Sequence, residues 1–102
     1  MNLLKCCLLL FFCSNVALAG NPLVTNIFTA DPSGRVFDGR LYVYTSHDEP
    51  DATYWDMVDW RLLSTSDLVT WKDHGSIFRV KDFVWASHWA WAPDCIESNG
   101  KY

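Results

Sequence analysis

Past residue 19, no stretch of the chain carries the apolar spacing of an amphipathic helix. The apolar positions fall instead in short runs rich in β-branched and aromatic residues, the composition of half-buried strands. Arg40-Leu41-Tyr42-Val43-Tyr44-Thr45-Ser46 is the plainest run, and Val36-Phe37 precedes it across Asp38-Gly39. A two-residue Asp-Gly predicts a type I′ hairpin, because both central positions of that turn need positive φ. Trp60 to Ser66 reads as a third strand and Trp71 to Phe78 as a fourth, with Asp67 to Thr70 turning between them. Asp48 to Asp59 reads as an acidic loop containing Pro50, and Arg79 to His88 as a second connection.

The pattern then restarts. Trp91 to Glu97 reads as a strand leading into Asn99-Gly100, a second I′ pair, and Lys101-Tyr102 echoes Arg40-Leu41-Tyr42. The turn glycines Gly39 and Gly100 stand 61 residues apart. Four antiparallel strands repeated at that interval predict an all-β chain built of β-propeller blades. A sandwich whose hairpins merely share turn chemistry is the alternative. The chain holds one such unit and the opening strand of the next. It therefore reads as the N-terminal piece of a longer protein.

Composition narrows the class. Of 102 residues, 50% are apolar and 20% charged, with only 5 Gly and 4 Pro, which excludes disordered and collagen-like chains. Residues 1–19 read as a secretory signal: Lys5, the apolar run Cys6 to Phe12, and the cleavage site Ala17-Leu18-Ala19 before Gly20. Ser14-Asn15 interrupt that run well short of the roughly 20 apolar residues a membrane-spanning helix needs. Acylation at Cys13 is disfavoured by the bulk of Phe11 and Phe12. Residues 20–102 then form the mature segment, either periplasmic or secreted, with no membrane partner once the signal is removed. It carries 7 basic against 12 acidic residues, a net charge of −5. That sign repels phosphate and excludes nucleic acid as a natural partner. Cys95 is the one cysteine left, so no internal disulfide can form.

Several motifs together carry a resemblance. Asn21-Pro22-Leu23-Val24, Thr29-Ala30-Asp31-Pro32-Ser33 and Asp38-Gly39-Arg40-Leu41-Tyr42-Val43-Tyr44 come first. Ser46-His47-Asp48 and the stretch Ser64 to Gly75 follow, then Trp91-Ala92-Pro93-Asp94 before Asn99-Gly100-Lys101-Tyr102. In this order and spacing the chain resembles glycoside hydrolase family 43. The resemblance implies a five-bladed propeller with its active site at one end of the axis. It implies inverting hydrolysis of arabinose- and xylose-containing oligo- or polysaccharides. A non-catalytic sugar-binding propeller is the rival reading. The family's general base falls on Asp31; its second Asp and its Glu general acid fall beyond residue 102. This piece alone is therefore expected to be inactive. Some members hold an axial calcium ion, but no ligand set for one is legible here, and no other cofactor is implied.

Read as residues, these positions carry further expectations. Pro32 restricts Asp31 to extended backbone, at the start of an inner strand pointing into the pocket. Turn chemistry is the plainer reading of Asp31-Pro32-Ser33-Gly34. Asp94 stands 63 residues after Asp31 and serves either as a structural hydrogen-bond acceptor or as a sugar contact. Trp91, Trp89 and His88 are the other candidate substrate-binding residues, and Trp85 lies in the same loop. Trp60 and Trp71 fit a blade core. His47, Asp48 and Glu49 cannot easily converge on one metal ion, because successive strand side chains point opposite ways. They read as a solvated loop edging the pocket. His74 reads as turn structure and Cys95 as a small buried hydrophobe.

Overall fold

The computed structural model describes residues 22–102; the predicted signal segment, residues 1–19, lies outside them. Four strands follow one another: β1 (Phe28–Phe37), β2 (Arg40–Asp48), β3 (Met57–Thr65) and β4 (Lys72–Arg79). They form one antiparallel sheet in the order β1-β2-β3-β4, each strand beside its sequence neighbour. A single 3₁₀ turn, Val80–Asp82, follows.

The hairpins close by the predicted chemistry. Phe37 pairs with Arg40, and Asp38 and Gly39 take φ of 49° and 73°. Between β3 and β4 the Asp67 carboxylate accepts the backbone N–H groups of Val69 and Thr70 and the Thr65 hydroxyl, which holds Leu68 at φ 61°. Asn99 and Gly100 also take positive φ, and Ser98 bridges Lys101.

The sheet is interrupted on purpose-built irregularities. Ala30 pairs with Ser46 and Ser33 with Tyr44, so β1 carries one extra residue at Asp31-Pro32. Such a bulge bends the strand and re-aims its side chains. Pro32 is tolerated there because β1 pairs on one side only and a bulge releases a ladder hydrogen bond. β4 bulges in the same way near Gly75.

The core sits at one end of the sheet. Met57, Val80 and Ala90 are buried together, with Ala30, Trp60 and Ala86 packed against them. The Ala90 N–H donates to the Met57 carbonyl at 2.8 Å, which ties the segment after β4 back across the start of β3.

Four sequence expectations are corrected. Trp91 to Glu97 forms no strand; Ala92 at φ 33° and Pro93 break the extended ladder, and Cys95 is partly exposed there. Asp31 is not extended but left-handed, at φ 50°, because the bulge rather than Pro32 decides its backbone. His47 and Asp48 belong to β2, not to a solvated loop, so the connection shrinks to residues 49–56. His74 lies within β4, where its Nε2 meets the Ser64 hydroxyl at 2.8 Å.

Candidate active site

The bulge and the returning loop create a cleft of about 460 Å³ at the core end of the sheet. β1 contributes Ala30 and Asp31, β2 contributes Asp48, and Met57 forms part of the wall. Trp55 enters from the β2–β3 loop, and Trp91 with Ala92 from the segment after β4. Asp31 is solvent-accessible at this cleft, and its carboxylate has no hydrogen-bond partner among the described residues. A solvent-accessible carboxylate in a cleft also lined by two indoles can accept a proton from water.

Backbone strain gathers at this place. Asp31, Trp89 and Ala92 all have positive φ, at 50°, 66° and 33°. Left-handed conformations cost side-chain-bearing residues free energy and persist where the surroundings over-determine them, often at functional sites. The surroundings here are identifiable. Trp91 N–H donates to the Trp89 carbonyl at 2.9 Å, and Trp60 Nε1–H donates to the Trp91 carbonyl at 3.2 Å. Trp60, half-buried against the core as predicted, thus also fixes the loop that presents Trp91.

The sequence-predicted residues separate into three places. Asp31 and Trp91 share the cleft. Trp89 and His88 line an adjoining hollow, joined to it through the stacked rings of Trp89 and Trp91, 5.0 Å apart and 14° from parallel. Asp94 lines neither. Its carboxylate accepts the Ser33 hydroxyl at 2.7 Å, the Cys95 N–H at 2.8 Å and the Arg35 guanidinium at 2.5 Å. The Ser33 hydroxyl first, then the Cys95 N–H and the Arg35 charge, hold its carboxyl below the usual carboxylate range. Ser33 and Arg35 follow the bulge on β1, so Asp94 latches the Trp91 loop to the strand that carries Asp31. Trp85 is largely exposed and lines none of these hollows.

Two site residues were not singled out from the sequence. Trp55 was hidden in an acidic loop. Asp48 was grouped with its neighbours as solvated, yet its Oδ1 is buried without a protein partner among the described residues. Strand register brings it there: Asp48 is the last residue of β2, beside the first of β1 and of β3. His47 points its Nδ1 at Asp59 Oδ1, 2.5 Å away, both side chains largely buried. His47 and Asp48 thus serve a buried pair and the cleft from the end of one strand, Glu49 follows outside it, and no group of ligating side chains that could hold a metal occurs among the described residues.

Comparison with known proteins extends this geometry. Residues 19–102 match the family model of glycosyl hydrolases family 43, covering every candidate residue above. The xylosidase/arabinosidase 43A of Humicola insolens is 45% identical over 79% of this chain and 28% of its own length. A xylosidase/arabinosidase of Bacteroides ovatus is 35% identical over 78% of this chain and 27% of its own. Among solved structures, a GH43_1 enzyme from Xanthomonas citri complexed with xylose superposes with a TM-score of 0.72 and 44% identity. The overlap covers 78% of this chain and 24% of that one. The chain thus spans about a quarter of the length of the relatives it matches. Those neighbours are propeller enzymes, and the four-stranded meander is one propeller blade. By this match and this fold, the chain belongs to glycosyl hydrolases family 43.

Proposed function

We propose that Asp31 is the general base of an exported, inverting glycosidase that hydrolyses xylose- and arabinose-containing oligosaccharides. The observation that carries the reading is the strained bulge that aims Asp31 at a cleft walled by Trp55 and Trp91. The substrate class is supported by the relatives, which are named xylosidase/arabinosidases, and by neighbours complexed with xylose and xylotriose.

The chemistry needs one bond formed and one broken. Water attacks the anomeric carbon on the face opposite the leaving group, and Asp31 takes the proton that the water loses. The glycosidic C–O bond breaks, and a carboxylic acid donates a proton to the departing oxygen. In an inverting enzyme the two carboxyl groups stand roughly 6.5–9.5 Å apart, which leaves room for the water. That acid is contributed by a later part of the family's fold. Trp91 offers an aromatic face to the apolar side of a sugar ring, at low entropic cost because it is already pinned.

The test is Asp31→Asn in the full-length protein that also carries the acid; the substitution keeps shape and removes the base. The expected outcome is a fall in kcat of about 10²–10⁴-fold, with ligand binding retained by calorimetry. Near-normal turnover in that variant removes Asp31 from the role. A sugar-binding propeller without catalysis would instead bind xylo-oligosaccharides with Asp31 intact and release no product.

A further inference from the structure

The Trp91 wall of the cleft is not part of the sheet. Among the described residues, no backbone–backbone hydrogen bond joins residues 92–97 to a strand. Side chains therefore decide where Trp91 stands relative to Asp31. Trp60 holds the Trp91 carbonyl from β3, and the hold from β1 comes three and four residues later, at Asp94 and Cys95.

Arg35 is the centre of the β1 hold. Its Nη2 donates to Asp94 Oδ2 at 2.5 Å and its Nε to the Cys95 carbonyl at 3.2 Å. Its Nη1 donates to the Gly34 carbonyl at 3.0 Å, which fixes the guanidinium plane against the strand. Ser33 donates to the other oxygen, Asp94 Oδ1. Ser33 and Arg35 stand two apart on a regularly paired stretch of β1, so they share one face. That stretch begins where the bulge carrying Asp31 ends. Pro93 restricts the backbone between Trp91 and Asp94 by fixing its own φ. A planar fork with several donors suits two acceptors at once, which a lysine ammonium cannot match in geometry.

We propose that Arg35 is a positioning residue for glycoside hydrolysis: through Asp94 and Cys95 it sets the Trp91 ring, and the sugar stacked on it, at a fixed distance from Asp31. Arg35 does not line the cleft and touches no substrate. The proposal rests on the Asp31 reading and adds what aligns the base with the sugar. The Arg35 and Asp94 side chains are 45% and 56% exposed, and an ion pair so exposed adds little stability. Its consequence lies in alignment, where a misplacement of about 1 Å can cost about 10²-fold in rate.

The experiment uses the full-length protein and measures kcat on an aryl xyloside, calorimetric affinity for xylose, and the thermal midpoint. Arg35→Met removes the fork. Asp94→Asn leaves an amide that can serve Arg35 or the Ser33 and Cys95 donors, but not both. Each is expected to lower kcat by about 10–100-fold. Xylose affinity should stay within about threefold, because the ring moves with its sugar, and the midpoint should hardly move. Arg35→Lys keeps the charge without the fork and should lose nearly as much kcat as Arg35→Met. The Arg35→Met/Asp94→Asn double variant should lose little beyond the worse single one, since the two act as a unit. Turnover within about twofold of wild type in both single variants overturns the proposal. So does a xylose affinity that falls as far as kcat, full recovery in Arg35→Lys, or losses that multiply in the double variant. Asp31→Asn, run in the same series, separates the two ideas. Near-normal turnover there sinks the base reading whatever Arg35 does. An inactive Asp31→Asn beside fully active Arg35 and Asp94 variants sinks this proposal alone.

Discussion

Replacing Asp31 by Gly and by Ala isolates the strain at the bulge from the chemistry of the carboxylate. Both variants remove the same charge, so their difference reports the backbone alone. At an ordinary strand position Gly is less stable than Ala by about 0.5–1 kcal/mol, because it loses more freedom on folding. At φ 50° the order changes. A left-handed residue with a Cβ costs roughly 1–2 kcal/mol, and Gly escapes that cost. The net expectation is that Asp31→Gly is more stable than Asp31→Ala by about 0.5–1 kcal/mol. Thr29, two residues earlier on the same strand and paired regularly with His47, is the control. Thr29→Ala should exceed Thr29→Gly by about 0.5–1 kcal/mol. Urea denaturation midpoints at constant slope give both differences. If Ala beats Gly at position 31 as it does at 29, the bulge is not strained and the aiming of Asp31 needs another cause.

Other consequences follow from the same structure. Asp59→Ala should cost about 1.5–3 kcal/mol, because it removes a charged hydrogen-bond partner from the largely buried His47; a loss within experimental error would show that the pair is not formed. Asp67 is held at about 2, against its ordinary 3.8, by the Thr70 and Val69 N–H groups and the Thr65 hydroxyl. A carboxyl lowered in the fold stabilises it above the unfolded value, and that contribution fades as pH falls from about 4 toward 2. Wild type and Asp67→Ala should therefore differ in urea midpoint near neutrality and converge in acid, whereas a gap that ignores pH would contradict the turn geometry.

Much of the fold was legible because turn chemistry is local. Asp38-Gly39 announces its hairpin from two residues, and the alternating β-branched and aromatic run after it can bury only as a strand. β1 was half hidden, because Asp31-Pro32-Ser33-Gly34 reads as a turn, and only pairing with β2 shows a bulge at Asp31-Pro32 with Gly34 back in register opposite Val43. The false strand at Trp91 to Glu97 came from the opposite error. Its composition is right for a sheet, but a left-handed Ala92 and the Asp94 latch hold it against β1 without a ladder. In the site, Asp31 and Trp91 were legible through motif spacing. Asp48 and Trp55 were not, since register and loop path bring them to the cleft, and neither leaves a mark in sequence order. The His47–Asp59 pair joins residues 12 apart that meet only because β2 and β3 align them.

The central claim is that Asp31 removes a proton from water at the sugar. Azide is a nucleophile that needs no base, so it can replace water where Asp31→Gly has left space. In the full-length protein, the account predicts that azide restores aryl-glycoside cleavage in Asp31→Gly and yields a glycosyl azide inverted at the anomeric carbon, a product wild type does not make. Azide-independent hydrolysis by Asp31→Gly within about tenfold of wild type would contradict it.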